Sequence, residues 1–318
     1  GLHTLSKDKL HALVRASIEE YIDRVLPDLC EKSARFRYLF NRLCAAVERI
    51  MDEVSEELQS SDFEPLAFEL AFGADGQLPA ITIREENGTA RVVGKVDRVD
   101  GWLHDGKLYL RVVDYKTGKK SFDLAELRYG LGLQMLLYLF TLKEEGQMLF
   151  GGHEIVPAGV LYTPAREPML RCARDTESEK IEKALKKELR RSGMVLEDPA
   201  VLQAMEHSAL ESPCYLPIAV KRDGAVTGSL ASAEQLGKLS KYVDHILHEI
   251  TQEVFAGNID ADPYARTPQQ SACTYCEFAS ACHFESGCGS DRMEYIKATK
   301  NDEFWQYIDE VNGEGGAR

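Results

Sequence analysis

The sequence lacks several features that would identify whole classes of protein. No segment approaches the ~18 consecutive apolar residues that a membrane-spanning helix needs. No Gly-X4-Gly-Lys-Ser/Thr loop is present, so we expect no ATP-driven motor within this chain. Its first residues show no basic segment followed by an apolar block, which argues against a secretory signal. These absences favour a cytoplasmic protein without a membrane anchor.

An excess of positive charge is also missing. The 318 residues include 38 lysines and arginines but 52 acidic residues, which gives a formal net charge of −14. Binding of nucleic acid through its phosphates needs clustered lysines and arginines. The chain therefore cannot coat DNA with its general surface, and any contact with nucleic acid must be local and charge-compensated, for instance by metal ions.

The residue patterns predict four successive segments. Residues 1–60 are predicted to be helical, because apolar side chains recur at helical spacing. Residues 61–170 contain short β-branched or alternating runs separated by turns, and a buried helix is predicted over 124–144. Residues 171–260 are predicted to be helical and to complete this core, and 261–318 hold a cysteine cluster and a tail. The order predicts an α/β core with helical additions.

Two acidic residues and a lysine stand near the ends of two neighbouring predicted strands. Asp97 lies near the end of one strand, Asp114 and Lys116 lie near the end of the next, and His104-Asp105-Gly106 is a hairpin signal between them. Side chains alternate along a strand, so Asp114 and Lys116 point to the same face. Two converging carboxylates repel each other and need a hard cation such as Mg²⁺, which can polarise a phosphate. The lysine can orient or deprotonate an attacking water.

This constellation also has an ordinary interpretation. An Asp-X-Lys sequence at a turn is usually a solvated charge pair, although Val112 and Val113 place this one after an apolar strand. In the following apolar helix, Gln134 and Tyr138 are four residues apart and share a face. A buried glutamine needs hydrogen-bond partners. Gln134 could bond an active-site group or a substrate phosphate, or it could satisfy a loop carbonyl while Tyr138 packs in the core.

A cysteine cluster near the C-terminal end is the second strong signal. Four of the eight cysteines fall within sixteen residues, and Cys273, Cys276 and Cys282 have the spacing Cys-X2-Cys-X5-Cys. Such thiolates bind Zn²⁺ or an iron–sulfur cluster. A zinc site would take His283 or Cys288 as its fourth ligand, whereas a cubane cluster needs four thiolates. Unligated buried cysteines are the third interpretation.

The segments GKVDRVD, VVDYKTG and GLQMLLYL resemble three motifs of the PD-(D/E)XK nuclease superfamily in its RecB-type branch. SARFRYLFNRL, SDFEPLAFELAFG, VPAGVLYTP and ACTYCEFASACHF are similar to the C-terminal nuclease region of the AddB subunits of bacterial AddAB helicase–nucleases. The resemblance implies a restriction-endonuclease-like α/β fold with a mixed sheet flanked by helices. It also implies metal binding by Asp97 and Asp114, a catalytic Lys116, and support of the site or of the DNA backbone by Gln134 and Tyr138.

The implied function is a Mg²⁺-dependent deoxyribonuclease, an exonuclease domain that processes DNA ends for double-strand-break repair by homologous recombination. Its implied substrate is the single strand from an unwound end, and its implied partner is the AddA subunit in a heterodimer. Two alternatives remain, a non-catalytic DNA-binding or scaffold module with the nuclease fold and a zinc-binding interaction domain.

The resemblance further implies a [4Fe–4S] cluster on Cys273, Cys276 and Cys282. The family holds it with a fourth, distant cysteine in a Cys-Pro-Phe-like motif, and it places a metal-binding histidine on an early helix. Neither motif occurs here, and the early cysteines and histidines do not match them; these are Cys30, Cys44, His3 and His11. Both missing ligands are therefore expected upstream of Gly1.

Overall fold

A computed structural model of the chain describes residues 4–25 and 33–314. It contains two compact units, each built from three stretches of chain. The first comprises Gly1–Leu70, Val96–Ser121 and Gln147–Ser232, and the second comprises Ala71–Lys95, Phe122–Gly146 and Ala233–Arg318. The four segments predicted from the sequence stay a prediction. Within the described ranges, no helix is both long enough and apolar enough to cross a membrane.

The secondary structure alternates between helices and short strands. The α-helices of the described residues are α1 (Lys7–Val25), α2 (Ala34–Gln59), α3 (Leu124–Arg128), α4 (Gln134–Glu145), α5 (Ser178–Glu188), α6 (Pro199–Met205), α7 (Ala233–Ala256), α8 (Ala279–Cys282) and α9 (Asn301–Glu314). The strands are β1 (Glu64–Phe72), β2 (Ile81–Glu85), β3 (Gly88–Val92), β4 (Gly94–His104), β5 (Lys107–Lys116), β6 (Glu154–Pro164), β7 (Ser192–Leu196), β8 (Ile218–Val220), β9 (Val226–Gly228), β10 (Leu230–Ala231), β11 (Tyr264–Thr267), β12 (Gln270–Ser271) and β13 (Glu294–Tyr295).

A six-stranded mixed sheet organises the first unit. Its order is β1-β4-β5-β6-β7-β10. The β4–β5 and β6–β7 pairs are antiparallel, whereas the β5–β6 and β7–β10 pairs are parallel. The central strands β5 and β6 are almost entirely buried along their apolar residues, which is expected of strands covered on both faces. The predicted α/β fold with a mixed sheet flanked by helices is confirmed.

The β4–β5 hairpin has the tight turn that its sequence predicts. His104 pairs with Lys107 across a two-residue loop. Asp105 and Gly106 both adopt positive φ angles, +50° and +77°. A two-residue loop with positive φ at both positions matches the right-handed twist of its strands, which is why Asp-Gly is favoured there. The turn therefore sets the register of both strands.

The predicted continuous helix over residues 124–144 is wrong, because the second unit contains two helices there. Between α3 and α4, Gly130 and Gly132 each have a φ of +70°. Only glycine adopts this conformation without steric cost, so the pair of glycines ends α3 and redirects the chain before α4. The apolar run that suggested one helix is confined to α4, whose residues 135–142 are buried.

A buried cluster of charges lies within the first unit and was not anticipated from the sequence. Glu57 on α2 contacts Arg191, with 2.6 Å between Oε2 and Nη2, and contacts Arg111, with 3.3 Å between Oε1 and Nη2. Asp100 accepts from Arg98 and Arg111 at 2.8 and 2.9 Å. All five residues are at most 4% exposed. Two carboxylates thus compensate three guanidinium groups where water cannot.

Candidate active site

The hairpin places two carboxylates side by side at one end of the mixed sheet. The last paired residues of β4 and β5 are Arg98 and Val113, so Asp97 and Asp114 occupy the next position on each strand. Opposed residues of an antiparallel pair project from the same face. Asp97 is held by the backbone, because its Oδ2 accepts a hydrogen bond of 2.9 Å from the N–H of Tyr115. The two acidic side chains are therefore neighbours.

Lys116 joins the carboxylates from the same strand as Asp114. Its Nζ lies 2.7 Å from Asp114 Oδ2, which the alternation of side chains along β5 permits. The ammonium also lies 5.8 Å from the ring centroid of Tyr162 on β6, within cation–π range. The side chain of Lys116 is 37% exposed, whereas that of Asp114 is 12% exposed. The amine is thus held by Asp114 and remains accessible to solvent.

The electrostatics of Asp114 favour a bound cation. Burial raises the pKa of this carboxyl above its usual value, Lys116 opposes that shift, and the charge of Asp97 adds to it. Two carboxylates and one ammonium leave negative charge in a half-buried position. Because Mg²⁺ prefers carboxylate oxygens and keeps positions for water and phosphate, the donor set of Asp97 and Asp114 fits a hard divalent cation.

Gln134 and Tyr138 lie on α4, in the second unit. Gln134 Nε2 donates a 3.0 Å hydrogen bond to the Tyr138 hydroxyl, so the two do share a helix face. Tyr138 is 5% exposed and stacks on Phe72, with ring centroids 5.3 Å apart. A Cβ atom on Gly94 would come within 2.2 Å of the Tyr138 hydroxyl, so this position requires glycine.

The prediction that Gln134 is buried is wrong. Gln134 is exposed because it is the first residue of α4, directly after the glycine-containing break. Its amide therefore needs no buried partner, and the argument from burial does not support a catalytic role for it. Tyr138, one turn further along, is the buried member of the pair.

The three clustered cysteines occupy two short helical turns of the second unit. Cys273 lies in a 3-10 helix, Ala272–Tyr275, and the N–H of Cys276 donates to its carbonyl at 3.3 Å. Cys282 ends α8. All three are free; Cys276 and Cys282 are exposed, and Cys273 is partly exposed. Residues 4–25 and 33–314 contain no group of three or more His, Cys, Asp or Glu side chains arranged to hold a metal ion. Cys30 and His3 lie outside the described residues.

Tyr162 is a residue of this site that the sequence patterns did not reveal. It pairs with Asp114 in the parallel β5–β6 ladder, and this register sets its ring beside the Lys116 ammonium. The strand containing Tyr162 was recognisable from its apolar run. Its parallel pairing with β5, across an intervening segment of almost 40 residues, carries no local signal.

Comparisons with known proteins agree on one family. The family model of the PD-(D/E)XK nuclease superfamily matches residues 3–283. The chain is 32% identical over 307 residues to the AddB subunit of the ATP-dependent helicase/deoxyribonuclease of Acetivibrio thermocellus, which covers 96% of this chain and 27% of that protein. The corresponding protein of Thermoanaerobacter sp. is 30% identical over 315 residues, covering 98% of this chain and 27% of its own length. That of Clostridium botulinum is 32% identical over 295 residues, covering 92% and 26%. The chain thus spans about a quarter of the length of these relatives.

Proposed function

This chain belongs to the PD-(D/E)XK nuclease superfamily, and from that premise we propose that it is a metal-dependent deoxyribonuclease domain that hydrolyses DNA phosphodiesters. The observation that carries the proposal is the convergence of Asp97, Asp114 and Lys116 at one end of the β4–β5 hairpin. This is the minimal set of groups that binds a cation and assists attack of water on a phosphate.

Asp97 and Asp114 would hold the metal ion. Nucleases of this superfamily generally use divalent metal ions, and we propose Mg²⁺ because both donors are carboxylates. When bound, such an ion supplies Lewis-acid chemistry and offsets the charge of the phosphate. The hydrogen bond from Tyr115 N–H to Asp97 fixes the orientation of that carboxylate before any ligand arrives.

Lys116 supplies the positive charge of the site. Asp114 holds its ammonium at 2.7 Å, and the Tyr162 ring limits its rotation. From there its N–H groups can orient the attacking water and donate to the phosphate oxygen on which negative charge grows. Hydrolysis forms one new P–O bond to water and breaks the P–O bond to the leaving sugar oxygen, which takes up a proton.

Removal of divalent ions tests this function. We expect the 318-residue chain to degrade end-labelled single-stranded DNA in Mg²⁺, to lose this activity to background when EDTA is added, and to recover it with excess Mg²⁺. Product lengths on a denaturing gel measure the rate. Degradation that is insensitive to the chelator, or no degradation in Mg²⁺, would show that the proposed chemistry is wrong.

The relatives suggest the context of the reaction, since each is a component of an ATP-dependent helicase/deoxyribonuclease. By this similarity we propose that the domain acts in the cytoplasm, on a single strand from an unwound DNA end. It would do so in a heterodimer with an AddA-type partner, during homologous recombination repair of double-strand breaks.

We also propose that Cys273, Cys276 and Cys282 provide three ligands of a [4Fe–4S] cluster. Their spacing, their free thiols and the tight turn between Cys273 and Cys276 support this. We expect anaerobically purified protein to contain iron and acid-labile sulfide, and Cys276→Ser to lower both. Cys288→Ser is the matched control, because that exposed thiol lies six residues beyond Cys282. Zinc without sulfide would contradict the proposal and favour a zinc site.

A further inference from the structure

The β2–β3 hairpin of the second unit presents a polar face with two arginines. Thr82 pairs with Arg91, and Arg84 pairs with Thr89, in a regular antiparallel ladder. Because side chains alternate along each strand, these four residues project from the same face. All four are exposed. The face is therefore a small, flat array of two guanidinium groups and two hydroxyl groups.

The opposite face of this hairpin attaches it to the rest of the second unit. Ile83 is 5% exposed. Glu85 accepts hydrogen bonds from His248 and, at 3.1 Å, from Gln252, both on α7. A Cβ atom on Gly88 would lie 2.6 Å from the Phe255 ring, which shows how closely that ring approaches the turn. The hairpin is thus fixed through one face, and its arginine face has no part in that attachment.

Neither arginine is used in folding. Among residues 4–25 and 33–314, the guanidinium groups of Arg84 and Arg91 form no ion pair or hydrogen bond with another side chain. Carboxylates hold other arginines of the same unit, such as Arg266 and Arg292. The lysine-rich helix α5 of the first unit also differs, because its lysines pair with glutamates of the same helix. In a chain of net charge −14, two adjacent unpaired arginines are unusual.

We propose that Thr82, Arg84, Thr89 and Arg91 form a binding surface for the phosphodiester backbone of single-stranded DNA, an inference that rests on the proposed function. The planar guanidinium group matches two phosphate oxygens, and threonine hydroxyls donate to phosphates as well. Arg84 and Arg91 are diagonal neighbours, so their Cβ atoms are about 7–8 Å apart. That separation suits two different phosphates rather than one. Such contacts position a strand without reading its sequence.

Salt dependence of binding measures these contacts directly. Each phosphate contacted on a single strand contributes about 0.7 to the slope of log Kobs against log salt concentration. We expect the double variant R84Q/R91Q to lower the magnitude of this slope by about 1.4, measured by fluorescence anisotropy of a labelled oligonucleotide in EDTA, where no cleavage occurs. R84K/R91K, which keeps both charges, should retain most of the slope.

A second hairpin of the same chain provides the matched control. Lys221 and Arg222 are exposed at the turn between β8 and β9, and K221Q/R222Q removes the same net charge. We expect it to bind DNA with the slope of the unsubstituted chain. Equal slopes for R84Q/R91Q and the unsubstituted chain, or an equal drop for both double variants, would overturn the hairpin proposal.

The two proposals fail in distinguishable ways. If the chain degrades DNA in Mg²⁺ while R84Q/R91Q keeps the full slope, only the hairpin proposal fails. If the slope falls as expected but no degradation occurs, the proposed function fails and the binding surface stands.

Discussion

Replacing Lys116 by methionine is expected to slow Mg²⁺-dependent DNA hydrolysis by about 10²–10⁴-fold, and Asp114→Asn should cost at least as much. The lysine variant loses the ammonium that lies 2.7 Å from Asp114 Oδ2. The asparagine variant loses a charge on which cation binding depends. The measurement is the initial rate of single-strand degradation at saturating Mg²⁺.

The combined variant tests whether the groups act together. Residues that act as a unit show strongly non-additive effects, so the double variant should be little slower than the worse single variant. Lys107→Met is the control, because Lys107 begins the same strand and forms an exposed 3.0 Å ion pair with Glu154. If Lys107→Met and Lys116→Met leave equal rates, Lys116 has no catalytic role. A chain that binds DNA equally well with or without Asp114 and never cleaves it would support the scaffold alternative.

Replacing Glu57 by glutamine is expected to lower the free energy of unfolding by about 3–5 kcal/mol, because it leaves buried arginines without their counter-charge. Glu57 contacts both Arg191 and Arg111 and is 1% exposed. Urea unfolding at neutral pH measures the change. Glu56→Gln is the control, because Glu56 is the preceding residue of α2 and is exposed. A loss below about 1 kcal/mol for Glu57→Gln would mean that the cluster contributes little to stability.

The same residue predicts an acid transition. Burial alone would raise the pKa of Glu57, but Arg191, Arg111 and Arg98 outweigh burial and lower that pKa from 4.5 to about 2. A carboxyl whose pKa is depressed by folding stabilises the fold above its unfolded pKa, and this contribution is lost as the pH falls. Stability should therefore decline between about pH 4.5 and pH 2. Urea unfolding across this pH range should show that this part of the decline is absent from Glu57→Gln.

The buried cluster and the active site occupy opposite faces of the same two strands. Arg98 and Asp100 alternate with Asp97 along β4, and Tyr115 alternates with Asp114 along β5. Tyr115 connects the two faces, because its backbone N–H holds Asp97 while its hydroxyl accepts from Arg98. Rigid ion pairs on one face thus support the strand ends from which the carboxylates project.

Local features of this protein were determined by the sequence alone. The Asp105-Gly106 turn selects the hairpin, and the two-residue period of its strands then aligns Asp114 with Lys116. Helical periodicity in the same way predicted α1 and α2. These features depend on residues a few positions apart, where backbone sterics and turn chemistry act without help from the rest of the chain.

Tertiary structure decided the features that join distant residues. The parallel β5–β6 pairing places Tyr162 beside Lys116, and the packing of α2 brings Glu57 to Arg111 and Arg191. The exposure of Gln134 was decided in the same way, since the apolar run around it predicts burial equally well for every position. Burial and ion pairing depend on what packs against a side chain, and a sequence pattern reports only the side chain's neighbours along the chain.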